Sequence, residues 1–207
     1  MPRFLPLEPA DEPSVRAFLE RYPASSMFLR GNLLRAGLAD DGRGGGGRWV
    51  GAEDASGLAG VACHSWNGVL LLQAPRFAGR LAQEAVLASG RLLRGLVGPW
   101  LQVLAAREAL GLAEAATNLD SREDLFTLDL PAMRAPEALV SGRLRCRRGR
   151  ASDVQLLADW GQESDVESKG ERPGAELRES NLRDAERFVR EGDQFLLEDG
   201  GVPVSAC

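Results

Sequence analysis

The sequence predicts an α+β protein, an α/β sandwich in which a mixed, mostly antiparallel sheet is flanked by helices. It reads as one complete copy followed by an incomplete second one. Three observations predict this. Residues 49–75, WVGAEDASGLAGVACHSWNGVLLLQAP, read as three short strands joined by two tight turns. Helical apolar patterns stand on both sides of that meander. The opening pattern then starts again near residue 144.

In chain order, residues 4–7 form a first short strand. Pro9, Ala10 and Asp11 cap a helix whose Val15, Phe18, Leu19 and Tyr22 share one buried face, and Pro23 breaks it. Ser25 or Ser26 caps a second helix carrying Phe28, Leu29, Leu33 and Ala36, and Gly37 suits its C-terminal turn. Residues 39–48, glycine at 44–47, form a flexible loop. In the meander, 49–53, 58–66 and 69–72 are strands, and Asn67-Gly68 favours a two-residue hairpin turn. The continuous apolar run 69–72 suits a strand covered on both faces.

Pro75 suits the first position of a helix that carries Leu81, Ala82, Ala85 and Val86 as far as Gly90. Residues 92–97 form another strand, and Gly98-Pro99 turns it into a helix through Trp100, Val103, Leu104 and Leu110. Residues 124–130 alternate, with Phe126, Leu128 and Leu130 on one face, a strand ended by Pro131. The order is β-α-α-β-β-β-α-β-α-β, and 131–136 is a linker.

The second copy opens with a strand at 144–148. Ala151, Ser152 and Asp153 mirror the first helix cap, and Val154, Leu157, Ala158 and Trp160 form an apolar face. A polar stretch to Gly174 leads into a helix with Leu177, Leu182, Ala185, Phe188 and Val189, closed by Gly192. Residues 195–207 parallel 50–63: an apolar strand, Glu-Asp, a glycine-containing turn and a strand ending in Ala-Cys. The expected units are therefore 1–135 and 141–207, the second lacking a counterpart of 64–130.

Composition excludes several classes. A hydrophobic fraction of 44% supports a packed core. A net charge of −5 gives no electrostatic footprint for nucleic acid, and Lys169 is the only lysine among 25 basic residues. Three scattered cysteines and one histidine form no metal-site spacing, so no metal is expected. No apolar run approaches the roughly 20 residues of a membrane span. The N-terminus turns acidic too early for a signal peptide. A soluble, cytoplasmic protein is expected.

Four runs carry a resemblance: SSMFLRGNLLRAGL at 25–38, HSWNGVLLLQAP at 64–75, LVGPW at 96–100 and LDSREDLFTLDL at 119–130. With the element order, they resemble the GNAT superfamily of acyl-CoA-dependent N-acetyltransferases. The doubling is similar to its tandem members, in which a degenerate N-terminal unit precedes a catalytic one. The resemblance implies acetyl transfer from acetyl-CoA, the co-substrate, to the amine of a small molecule or peptide. In that family the pantetheine arm inserts between splayed fourth and fifth strands, and a Q/R-x-x-G-x-G/A loop holds the pyrophosphate. At the matching position this chain reads Gln73-Ala74-Pro75-Arg76-Phe77-Ala78, with Arg76 in place of the central glycine and Pro75 removing a donor.

The chain is therefore expected not to be competent alone. The alternatives are a non-catalytic scaffold or weak acyl-CoA-binding module, or an inactive truncated product. Self-association through the open sheet edge is the expected hazard of the second copy.

The remaining candidates divide between a sharp and a bland reading. Arg76 and Arg80 form an anion site or are two solvated arginines, the reading favoured. His64 is a general base or, favoured, a structural residue. Arg143, Arg145 and Arg147 attract phosphate or line a solvated face. Glu163, Asp165, Glu167 and Glu171 select a cationic amine or form an acidic loop. Trp66 and Trp100 are read as packing residues, and Cys63, Cys146 and Cys207 as buried, inert thiols. No catalytic, cofactor-binding or metal-ligating residue is assigned.

Overall fold

The Asp11 carboxylate accepts the Glu8 N–H at 2.8 Å. This closes a 3-10 turn at Pro9–Asp11 between strand β1 (Arg3–Pro6) and helix α1 (Glu12–Glu20). Helix α2 (Met27–Ala36) follows, ended by Gly37 at φ 63°, a left-handed value that glycine adopts without steric cost. Strands β2 (Gly47–Asp54), β3 (Gly57–Ser65) and β4 (Val69–Gln73), helix α3 (Ala78–Ser89), strand β5 (Gly95–Val97) and helix α4 (Trp100–Ala109) come next. Beyond them lie helix α5 (Glu137–Val140), strand β6 (Leu144–Arg148), helices α6 (Val154–Lys169) and α7 (Ala175–Glu191), and strands β7 (Phe195–Asp199) and β8 (Val202–Ala206). This computed structural model describes residues 1–42 and 44–207. The chain is a mixed α+β protein in two compact units: 1–116 with 122–127, and 117–121 with 128–207.

The first unit carries a five-stranded sheet in the order β1-β2-β3-β4-β5, antiparallel except for the parallel pair β4–β5. Alternation along the strands sends side chains to both faces. Trp49, Val61, Cys63 and Leu71 pack with Val15, Phe18 and Leu19 of α1 and with Leu29 and Leu33 of α2. Val50, Ala62, Leu70 and Leu72 pack with Leu81, Ala82 and Ala85 of α3 and Ala106 of α4. The sheet is covered on both sides, which is why its central strands are nearly continuous apolar runs.

The second unit carries a three-stranded antiparallel sheet, β6-β7-β8. Its core is smaller: Leu157, Ala158, Ala185 and Leu196 are buried, with Val154, Leu182, Val189 and Ala206 packed around them.

Both units open on the same backbone pattern. As Asp11 takes the Glu8 N–H, Asp153 takes the Arg150 N–H at 2.7 Å, closing a 3-10 turn at Ala151–Asp153. Leu7 N–H bonds Trp49 O at 3.0 Å, and Gly149 N–H bonds Gln194 O at 2.8 Å. Strand β2 shifts register against β3 between Ala52 and Glu53, and β7 shifts against β8 between Leu197 and Glu198. The hairpins then close at Asp54↔Gly57 and Asp199↔Val202.

Several expectations need correction. Residues 124–130 form no strand. Residues 124–129 have no regular structure and Leu130 opens a 3-10 turn (Leu130–Ala132), with Phe126, Leu128 and Leu130 at 88%, 63% and 72% exposure. The first unit is thus not the complete ten-element copy expected. The strand expected over 92–97 is only Gly95–Val97, and β2 begins two residues earlier than expected, at Gly47. Residue 43, inside the loop expected over 39–48, lies outside the described residues.

The helix after β4 starts at Ala78, not at Pro75. The β3–β4 turn closes on Ser65 O with Trp66 and Asn67 at its centre, and only Gly68 (φ 83°) takes positive φ. Ser26 sits at the N-terminus of α2, but its hydroxyl turns back to the Tyr22 carbonyl at 2.6 Å, and Phe28 faces out at 56% exposure. Register pairs Cys207 with Phe195 as Ala62 pairs with Val50, so the two Ala-Cys endings are one residue out of step.

Candidate functional site

The segment leaving β4 is where the resemblance places phosphate binding, and its groups are already engaged. Gln73 is buried, and its Oε1 accepts the Ser25 hydroxyl at 2.8 Å. The Ala74 N–H donates to Gln102 Oε1 at 2.6 Å, and Pro75 has no N–H to offer. Phe77 stands at φ 68°, the single non-glycine residue with positive φ among those described. A left-handed aromatic costs on the order of 1–2 kcal/mol. Edge-on packing against Phe4 (6.3 Å between centroids) and the Arg76 guanidinium over the ring (5.7 Å) hold it there.

Arg76 is not free to receive an anion. Its guanidinium reaches back to the β2–β3 hairpin, 2.6 Å from the Asp54 carboxylate and 3.2 Å from the Ser56 hydroxyl. The Ser56 hydroxyl and N–H, with Arg76 adding to them, hold the Asp54 carboxyl below its usual range. Arg80 pairs with Glu84 one turn along α3.

Strands β4 and β5 stay together as far as Leu72, one residue before the end of β4. They pair in parallel from Val69↔Gly95 to Leu71↔Val97. At the next residue, Gly98, an added Cβ would lie 2.7 Å from the Leu72 carbonyl oxygen. A further strand between them needs backbones about 9–10 Å apart, twice the normal strand spacing.

His64 is fully buried on β3, and sequence reasoning gave it no partner. Its Nε2 donates to the Gly68 carbonyl at 3.1 Å, which leaves Nδ1 to accept the Ser89 hydroxyl at 2.6 Å. Burial, with the nearby Arg91 charge, lowers its pKa, against the raising effects of the Gly68 carbonyl and Asp40. Arg91 forms a bidentate pair with Asp40 and donates to the His64 carbonyl at 3.3 Å. The cluster pins the end of α3 to the β3–β4 turn. The links from His64 to Ser89 and from Arg91 to Asp40 span 25 and 51 residues, so no local spacing signals them.

In the second unit, Arg147 is not on a solvated face. It binds the Asp153 carboxylate at 2.7 and 3.0 Å and Glu198 at 2.6 Å. The Arg147 bonds, followed by the Arg150 N–H, outweigh desolvation and hold Asp153 below the usual carboxylate range. Arg145 is exposed, and Arg143 lies 3.9 Å from Asp199.

Glu163, Asp165 and Glu167 are on α6 rather than in a connecting loop, because the helix runs on to Lys169. Only Asp165 turns inward. Burial raises its pKa, but Lys169 and the Asn181 amide at 3.0 Å outweigh that and lower it overall. Glu163, Glu167 and Glu171 remain exposed.

Cys63 is buried, its thiol pushed up to about 12 by burial, whereas Cys146 and Cys207 are exposed, contrary to expectation. Trp66 also faces out, at 52%, and Trp100 is half-buried. No group of three or more potential metal ligands occurs among the described residues. No helix among them is long and apolar enough to cross a membrane.

The second unit has one feature the sequence did not suggest, a cleft of about 250 Å³ between α6, α7 and β8. Trp160, Gly161, Ser164, Asn181, Phe188 and Ala206 line it. Counting from the two aspartates that close the opening turns, Trp160, Gly161 and Ser164 stand where the first unit has Phe18, Leu19 and Tyr22. Smaller side chains at two of three positions leave a gap where the first unit is solid. At about 250 Å³ it lies below the roughly 300–1,000 Å³ of small-molecule sites.

Comparison with known protein families, with curated proteins and with solved structures finds no match to this chain. What the fold and site define is an α+β protein with one filled and one partly open unit.

Proposed function

We propose that this chain belongs to the tandem form of the acyl-CoA-dependent N-acetyltransferases, and that its first unit is a non-catalytic scaffold that does not hold acyl-CoA. The sequence resemblance supports the family. The shared opening supports the tandem reading: both units have the same 3-10 turn, the same loop-to-strand bond and the same register shift in the hairpin.

The observation that carries the scaffold reading is the exit of β4. A site for acyl-CoA needs free backbone donors beside an open slot between the fourth and fifth strands. Here the Ala74 N–H is held by Gln102, the next residue is proline, Arg76 is tied to Asp54, and Gly98 closes on Leu72. No residue of the unit takes a catalytic role in this account. His64, a structural clasp between Ser89 and Gly68, has no free nitrogen with which to act as a base.

Calorimetric titration of the chain with acetyl-CoA tests the proposal. No saturable heat is expected. Arg76→Gly, which returns the central glycine, is expected to bind no better, because Gln102 and Gly98 still occupy the slot. Micromolar binding by the unaltered chain would refute the scaffold reading.

A further inference from the structure

We propose that His64 and Ser89 form a buried proton-binding site, a switch that carries the ring in either charge state without losing a hydrogen bond. The Ser89 hydroxyl is the moving part.

His64 is fully buried on β3, and both ring nitrogens face partners. The Gly68 carbonyl is 3.1 Å from Nε2 and the Ser89 hydroxyl 2.6 Å from Nδ1. The carbonyl only accepts, so Nε2 carries a hydrogen in both states. Ser89 can serve either state of Nδ1, because a hydroxyl has one hydrogen and two lone pairs. Its oxygen lies within reach of three groups: His64 Nδ1, the Val86 carbonyl at 3.0 Å and the Arg91 N–H at 3.2 Å.

The two charge states use that oxygen differently. With the ring neutral, Ser89 donates to Nδ1 and accepts the Arg91 N–H. With a proton on Nδ1, the ring donates to Ser89, which still accepts the Arg91 N–H and turns its own hydrogen to the Val86 carbonyl. That carbonyl already accepts the Gly90 N–H at 3.1 Å and has a second lone pair to offer. The change is a rotation of one hydrogen, with the heavy atoms in place. One proton is taken up, and a carbonyl at the end of α3 gains a partner.

The surrounding charges set how strongly the proton is held. Val86 and Ser89 belong to the last turn of α3, and the C-terminal end of a helix favours a cation. Asp40 favours it too, but its carboxylate is shared with Arg91, which also donates to the His64 carbonyl at 3.3 Å. On β2, Arg48 stands opposite His64 in register and lies 3.9 Å from Glu8. The residue opposite on β4 is Leu70, which carries no charge. Arg94 runs beside the turn: a Cβ added at Gly68 would lie 3.0 Å from its Cγ. Burial and the Arg91 charge oppose the proton, so the switch turns below the ordinary histidine value of about 6.5.

The chain has a single histidine, so NMR can follow its ring nitrogens in the full chain without ambiguity. The Nε2–H tautomer is expected at neutral pH. As pH falls it should pass to the doubly protonated ring while the amide spectrum remains that of the folded chain. Ser89→Ala leaves the charged ring without an acceptor at Nδ1 and is expected to weaken proton binding roughly tenfold. Ser89→Thr, which keeps the hydroxyl, should restore it. Asp40→Asn should shift the titration in the same direction as Ser89→Ala. A ring that takes up its proton only as the folded amide signals vanish would overturn the proposal, and so would a Ser89→Ala chain that titrates like the original.

Discussion

The two units begin alike and end differently. Each opens with strand, 3-10 turn, two helices and a bulged hairpin, set by an aspartate folded onto the N–H three residues before it. In the first unit Phe18, Leu19 and Tyr22 fill the space over the sheet, and β4 completes it. In the second, Trp160, Gly161 and Ser164 stand in those places and line a cleft. One framework tolerates a filled core or a cleft, because the backbone pattern is set by turn and bulge hydrogen bonds. The side chains decide what space remains.

The largest effect that sharpens this contrast is expected at Leu19. It is fully buried, so Leu19→Ala should cost the first unit about 2–5 kcal/mol in denaturant unfolding. Position 161, its counterpart, has no side chain to lose. Hydrogen exchange should show the loss in the first unit alone. Equal loss in both would break the picture of two independent cores.

Arg147→Met should be next, lowering the thermal midpoint of the second unit. It removes the cation that Asp153 and Glu198 share and loosens the opening turn. The first unit, whose turn has no such arginine, serves as the internal control.

Acid should separate the units further. The lowered pKa of His64 means that the folded state binds its proton more weakly than the unfolded state. Its contribution is therefore complete above the unfolded value near 6.5 and is lost as pH falls through the lowered folded value. The second unit has no histidine. Asp153 and Asp165, both lowered, weaken it only below the usual carboxylate range near 3.9. As pH falls from about 6.5 to 4, amide protection factors, taken relative to intrinsic exchange at each pH, should fall in the first unit only, and His64→Gln should remove that slope. A parallel fall in both units would contradict the assignment.

The smallest effect is expected from filling the cleft. Ser164→Tyr places the first unit's Tyr22 in the second and should stabilise it by about 0.5–1 kcal/mol. Gly161→Ala should destabilise, because the added Cβ meets Asn181 Oδ1 at 2.4 Å, and Asn181 is held by Asp165.

Much of this framework is legible in the sequence. The helices announce themselves by period 3.6 and the hairpins by apolar runs around Asp-Ala-Ser-Gly and Asp-Gly-Gly. The failures share a cause: each depends on something distant. Alternation at 124–130 describes a face, but a strand needs an edge to pair with, and no local signal supplies one. Glu163 to Glu167 read as loop because their polarity hides a helix whose packing depends on only a few inward residues, Asp165 among them. At the exit of β4, Arg76 for glycine was visible, but Gln102 on Ala74 and Gly98 against Leu72 were not. Those two contacts turn a weakened loop into a closed one.

The most direct test of that closure is to follow the backbone amide signals of residues 73–80 and 95–102 while acetyl-CoA is added. No saturable shift is expected at Ala74, Phe77 or Gly98. A saturable shift confined to those amides, with loss of the bond to Gln102, would contradict it.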